Sequence, residues 1–189
     1  FFDLKDDESS VSCFMPVWDL RVPLEDGMKV VARAVPKLTK WGKFSLTVNA
    51  VKPVGEGSLK KAYEMLKKKL AGEGLFDPAH KKPLPKYPGM IGIVTSSAGA
   101  AVHDMLRILR KRYPLSKVRL LPVRVQGVEA PPEIVGAIRY ANRWQLADVI
   151  ITGRGGGSME DLWAFNDERV ARMIHASQIP VISAVGHEP

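Results

Sequence analysis

A sequence of 189 residues is long enough for one large or two small domains with a real core, and 46% hydrophobic and 25% charged content is ordinary for a soluble globular protein. No apolar run approaches the ~20 residues needed to cross a bilayer, the opening Phe1-Phe2-Asp3-Leu4-Lys5 does not resemble a signal peptide, and a single cysteine, Cys13, excludes an internal disulfide and points to a reducing, cytoplasmic setting. The net charge is +8, with 16 basic against 11 acidic side chains over residues 1–89 and 12 against 9 over residues 90–189, a balance that suits a polyanionic partner without requiring one.

The first half reads as β-rich. Strands are expected over Val11 to Met15, Met28 to Val35 and Phe44 to Val51, with Cys13 a small buried residue on the first. The last two face each other across Pro36-Lys37-Leu38-Thr39-Lys40-Trp41-Gly42-Lys43. Lysines track phosphates and bases stack on aromatic rings, so Lys37, Lys40, Trp41 and Lys43 have the chemistry of a single-strand binding surface. An equal alternative is that Trp41 covers the end of a small barrel and the lysines are solvated. Ser58 is expected to cap a helix through about Leu70, with Leu59, Ala62, Tyr63, Leu66 and Leu70 on one face. The segment Asp77 to Gly89 holds four prolines and no periodicity, and reads as an extended connection in which His80 is a solvated loop residue.

Beyond it, strand and helix alternate. Strands are expected at Met90 to Thr95, Val118 to Val123, Val149 to Thr152 and Val181 to Val185. Helices are expected at Ala100 to about Tyr113, Pro132 to Trp144 and, capped by Asn166, through Ile174. That order implies parallel pairing, and in parallel sheets ligands sit at the carboxyl ends of the strands. Three strand-end loops are expected to converge there: one with Ser96 and Ser97, one running Gly153-Arg154-Gly155-Gly156-Gly157-Ser158, and one with His187.

The second of these is the most informative stretch of the chain. Four glycines expose backbone N–H groups beside an arginine, and Ser158 with Asp161 fits an N-cap and its reciprocal acid. The combination favours a phosphate over a glycine turn needed only for packing, because an arginine inside a glycine run has little packing purpose. Use of this run for a dinucleotide cofactor, as in a nucleotide-dependent α/β enzyme, fits poorly. The third glycine is replaced by Ser158, and the acid expected at the end of the next strand is missing. Asp104 reads on position as a surface acid pairing with Arg107, with a catalytic role kept open by the nearby strand-end loop. His103 and Asp104 point about 100° apart on a helix and do not make a metal pair.

The segments Ile91-Gly92-Ile93-Val94-Thr95-Ser96, Ala100-Ala101-Val102-His103-Asp104, Gly153 through Glu168 and Ser183-Ala184-Val185-Gly186-His187-Glu188 resemble the large subunit of bacterial exodeoxyribonuclease VII. The resemblance covers the second half and reaches upstream through Glu73-Gly74-Leu75-Phe76-Asp77-Pro78 and Gly55-Glu56-Gly57. It implies an α/β protein: a partial N-terminal OB-fold (β-barrel) for single-stranded DNA at residues 1–57, a helix and Pro-rich linker at 58–89, and an α/β nuclease domain with a mainly parallel sheet at 90–189. It also implies exonucleolytic hydrolysis of single-stranded DNA from either end, short products with 5′-phosphates, and a small helical partner subunit. The family's essential residues map onto Asp104, Arg154 and His187. A fourth, an aspartate, would fall at residue 190, and the helical region that recruits small subunits lies outside the sequence. With no initiator methionine and a stop at Pro189, we expect a fragment cut at both ends, and either a nuclease core or a non-catalytic binding fragment. Pro189 stands where relatives often carry threonine. Ser96, Ser97, Gly153, Gly155, Gly156, Gly157 and Ser158 are the expected phosphate contacts. No cofactor is assigned, and Mg²⁺ stays open because the family itself varies.

Overall fold

The structure is a computed structural model and describes residues 1–38, 40 and 42–186. Two compact units divide the chain at residues 1–68 and 69–189. The architecture is α/β, with one mixed and one all-parallel sheet. Trp41 and His187 lie outside the described residues.

The first unit is built on β1 (Phe2–Lys5), β2 (Ser10–Phe14), β3 (Val30–Leu38) and β4 (Phe44–Pro53), in the order β1-β2-β4-β3. β1–β2 and β3–β4 are antiparallel and β2–β4 is parallel. Cys13, Met15 and Val48 are buried, with Phe2, Leu4, Val11, Leu46 and Val51 packed around them. Burial pushes the Cys13 thiol up from its ordinary pKa. Val48 and Val51 are three residues apart, which a regular strand would place on opposite faces. A bulge where the partner of β3 jumps from Ala50 (opposite Arg33) to Val48 (opposite Ala34) turns both inward.

Two expectations are corrected here. β3 runs on to Leu38, so Pro36, Lys37 and Leu38 are strand residues and not loop; Lys37 pairs with Ser45. Proline is tolerated because β3 lies at the sheet edge. The short β1 was not anticipated, since four residues beside an acid run carry little periodicity.

Helix α1 (Glu56–Gly72) starts two residues before the expected cap. Ser58 therefore lies inside it, and its hydroxyl accepts from the Lys29 amide at 2.8 Å. Leu59, Ala62, Leu66 and Leu70 are buried, whereas Tyr63 is exposed with the Lys67 ammonium 5.7 Å from its ring centre.

The second unit is a four-stranded parallel sheet of β5 (Met90–Thr95), β6 (Lys117–Pro122), β7 (Val149–Arg154) and β8 (Val181–Val185), ordered β6-β5-β7-β8. Helix α2 (Ala100–Arg112) covers one face, with Met105, Leu106 and Leu109 on Ile91, Ile93 and Val149. Helices α3 (Ala130–Arg143) and α5 (Glu168–Ala176) cover the other, burying Ile134, Ile138 and Val170 with Val94 and Ile150. Each such isoleucine contributes about 1.5–3 kcal/mol relative to exposure. Asp167 and not Asn166 caps α5, its carboxylate accepting from the Arg169 amide at 2.9 Å. α3 begins at Ala130, two residues early, because Pro131 and Pro132 fit a first turn whose N–H groups have no partner to lose. The chain runs from β5 outward to β6 and then returns to β7 on the opposite side of β5. The order of the strands thus reverses between β5 and β7.

Glu168 accepts from Lys69 at 2.8 Å and pairs with Arg172 at 2.6 Å, and Arg172 also reaches Glu73 at 2.7 Å. Burial raises the Glu168 pKa, but the hydrogen bonds from Lys69 and Arg172 outweigh it and hold the carboxyl below its ordinary value. A depressed carboxylate stabilises the fold above the unfolded pKa, and that contribution is lost as pH falls through the folded value. The melting temperature of Glu168→Gln should therefore lie below that of the parent at pH 7 and converge on it below about pH 4. A gap unchanged on acidification would show that the ionised carboxylate contributes nothing.

Candidate active site

The carboxyl ends of β5 and β7 flank the point where strand order reverses, the place where an open α/β sheet leaves a crevice. Three observations show that the strand ends meet there. The buried Thr95 hydroxyl donates to the Gly153 carbonyl at 2.8 Å, the Val123 amide donates to the Thr95 carbonyl at 3.0 Å, and the Gly186 amide donates to the Arg154 carbonyl at 3.2 Å. The loops that follow β5, β6, β7 and β8 therefore leave one edge.

Gly153 and Arg154 belong to β7 and not to the loop. Gly153 pairs with Ala184, and a Cβ built on it would stand 1.8 Å from the Ala184 carbonyl oxygen. At this glycine the packing reading holds. Gly155, Gly156 and Gly157 form the exposed loop, none with positive φ. A Cβ on Gly157 would press on the Arg154 guanidinium at 3.0 Å, whereas one on Gly155 would meet nothing within 4 Å. Gly155 thus has neither a conformational nor a packing reason to be glycine.

Arg154 organises the loop from inside. Its Nη1 donates to Gln126 Oε1 at 2.9 Å and to the Asp161 carbonyl at 3.1 Å, its Nε to the Gly155 carbonyl at 3.2 Å, and its Nη2 to the Gly156 carbonyl at 3.4 Å. The carbonyls are turned toward the guanidinium. Among the described residues, the amides of Gly155, Gly156 and Gly157 donate to no group in the chain. Free N–H groups beside a fixed positive charge have the chemistry to donate to an anion.

Ser158 and Asp161 form the expected capping box: the Ser158 hydroxyl accepts from the Asp161 amide at 3.3 Å, and the Asp161 carboxylate accepts from the Ser158 amide at 3.3 Å. The helix they open, α4 (Met159–Leu162), is a single turn continued by a 3₁₀ turn at Trp163–Asn166. Its dipole is slight, so the field at the loop comes from the loop amides and Arg154.

After β5, Ser96 is half-buried and Ser97 exposed, and neither hydroxyl has a partner among the described residues. Asp104, on the second turn of α2, is exposed and pairs with Arg107 at 2.8 Å, as its spacing suggested. Among the described residues it makes no hydrogen bond to the glycine loop. His103 is exposed, and no three His, Cys, Asp or Glu side chains are grouped to hold a metal ion among those residues. Gln126 was missed by sequence reasoning, because a lone glutamine 28 positions from its partner carries no local signal.

In the first unit, Lys37, Lys40 and Lys43 are exposed. The register sets Phe14, Thr47 and Val35 in a row across three strands, with Arg33, Lys37 and Lys52 on the same outward face. Phe14, Arg33 and Lys52 were not singled out from sequence. Strand alternation gives each an outward position only once the bulge and register are known.

Residues 75–189 match the family model described as exonuclease VII, large subunit. The chain belongs to the exonuclease VII large-subunit family. It is 52% identical over its whole length to the exodeoxyribonuclease 7 large subunit of Geobacillus kaustophilus, covering 43% of that protein. It is 55% identical to the Proteus mirabilis protein of the same name over 87% of the chain and 36% of the relative. For the Cronobacter sakazakii protein of that name the values are 50%, 100% and 42%. The chain thus spans about two fifths of the length of the curated relatives it matches. The glycine loop, Arg154, Gln126, Ser96, Ser97 and Asp104 all fall inside the matched segment. No helix among the described residues is long and apolar enough to cross a membrane.

Proposed function

We propose that this chain carries the nuclease core of an exodeoxyribonuclease that hydrolyses single-stranded DNA from its ends and leaves 5′-phosphorylated oligonucleotides. The observation that carries this reading is the glycine loop, with its carbonyls held by Arg154 and its amides free, at the sheet's reversal point in a chain of this family. The scissile phosphate lies on the amides of Gly155, Gly156 and Gly157, with Ser96 and Ser97 hydroxyls on the facing loop. Water attacks phosphorus, the P–O3′ bond breaks, and the leaving 3′ oxygen takes a proton while the phosphate stays on the 5′ carbon. Charge that builds on the phosphoryl oxygens is met by donors already in place. His187 is assigned the proton transfers and Asp104 the orientation of the histidine or water.

The first unit is assigned as an OB-fold that binds single-stranded DNA, with Phe14 and Val35 offering apolar surface and Arg33, Lys37 and Lys52 tracking phosphates, alongside Lys40, Trp41 and Lys43. A small partner subunit and a cytoplasmic setting complete the assignment. The domains run 1–57, 58–89 and 90–189. A 5′-labelled single-stranded oligonucleotide incubated with the chain, with Mg²⁺ and with EDTA, beside Arg154→Ala, tests the reading. Shortening by the parent alone is expected, and the EDTA lane reads metal dependence. Retarded but intact DNA would make the chain a binding fragment, and DNA that is neither shortened nor retarded would overturn the nucleic-acid assignment.

A further inference from the structure

Away from the glycine loop, within residues 69–189, a cavity of about 280 Å³ opens between residues 75–84, helix α5 and the lead-in to β8. Phe76 and Phe165 line it, together with His80 and His175, whose rings meet edge-on with centroids 4.7 Å apart. Lys81, exposed, and Lys82, half-buried, complete the basic part of the wall, and no aspartate or glutamate lines it. His80 is exposed, as its proline-rich surroundings suggested, and its ring also meets His175. The sequence lacked the signal because its partner is 95 positions away, on another element.

The chemistry of the wall selects its occupant. Two phenyl rings and a pair of imidazoles present flat, π-rich surface, which an aromatic ring covers by stacked or edge-on contact. Phe76 is 46% exposed, so covering it removes apolar area from water. Two ammonium groups with no facing carboxylate favour an anion beside that ring. The volume holds one base with its sugar. We propose that this cavity is a second nucleotide-binding site, taking one base against the Phe76, Phe165 and His80–His175 rings and one phosphate on Lys81 and Lys82. The occupant is either a free deoxynucleoside monophosphate or one unit of a DNA strand.

The chain has four histidines, so imidazole NMR signals report on the cavity residue by residue. Titration with dAMP should move the signals of His80 and His175 and leave that of His103 in place. Deoxyadenosine should bind more weakly, and the Lys81→Glu/Lys82→Glu variant should weaken dAMP binding about tenfold or more with its melting temperature unchanged. Phe76→Ala should weaken dAMP and deoxyadenosine alike. An oligo(dA) that moves the same two signals assigns the site to the strand; one that leaves them unmoved while dAMP moves them assigns it to the free nucleotide. Signals unmoved by both probes, an equal response to inorganic phosphate alone, or undiminished binding by the double variant would overturn the proposal. The same titration on Arg154→Lys should match the parent, which keeps this site's failure distinct from a failure of the nuclease reading.

Discussion

Arg154→Lys should lower turnover of single-stranded DNA by about 10²–10³-fold while changing oligonucleotide affinity by only a few fold. The guanidinium serves four acceptors in three directions: Gln126, the Asp161 carbonyl, and the carbonyls of Gly155 and Gly156. A lysine ammonium has three donors on a flexible stem and cannot hold that fork. With the carbonyls released, the loop loses the hydrogen bonds that fix its backbone, and a positive charge at the same position does not restore them. Binding of the strand draws on many lysines and is spared; stabilisation of the charge developing on one phosphate is not. Gln126→Leu removes the single contact from the β6 side and should reproduce part of the loss in kcat with little change in KM, whereas Gln126→Glu keeps an acceptor at 2.9 Å and should retain more activity. Near-parent turnover in Arg154→Lys, measured on a labelled oligonucleotide at saturating enzyme, would remove Arg154 from the chemistry and leave it a surface arginine.

The elements legible in the sequence are those whose signal is local. The Ile91–Thr95 run, the helix that opens at Ala100, and the Ser158–Asp161 capping box each state their structure within a few residues, and each is found where expected. The features that were not legible depend on partners far along the chain. Gly153 looks like the first residue of a phosphate loop, yet Ala184, 31 positions later, fixes it as a close-approach strand residue. Lys37 looks like a loop lysine until its pairing with Ser45 places it on a sheet face. Arg154 looks like an arginine with little packing purpose, yet it holds the loop through four acceptors, and its partner Gln126 becomes visible only when β6 and β7 are brought to the same edge. Local chemistry singles out the glycine run; tertiary register decides which of its glycines serves packing and which does not.

That division predicts opposite outcomes for two neighbouring substitutions. Gly153→Ala would put a methyl 1.8 Å from the Ala184 oxygen and 2.5 Å from its carbonyl carbon, both backbone atoms that cannot swing aside. β8 must then separate from β7, taking with it the Gly186 to Arg154 hydrogen bond that ends the ladder. The expected cost is about 3 kcal/mol, at the upper end of overpacking penalties, read as a fall in urea midpoint with loss of all activity. Gly155→Ala adds the same methyl to open space at a residue without positive φ, so stability should stay within about 0.5 kcal/mol of the parent. On the proposed reading a phosphate approaches the Gly155 and Gly156 amides beside this methyl, so cleavage of single-stranded DNA should fall at least tenfold despite the intact fold. Unfolding by Gly155→Ala would mean the loop is structural throughout. A stable Gly155→Ala protein that cuts and binds as the parent does would place the phosphate elsewhere, because a glycine with no packing and no conformational role would then have no ligand role either.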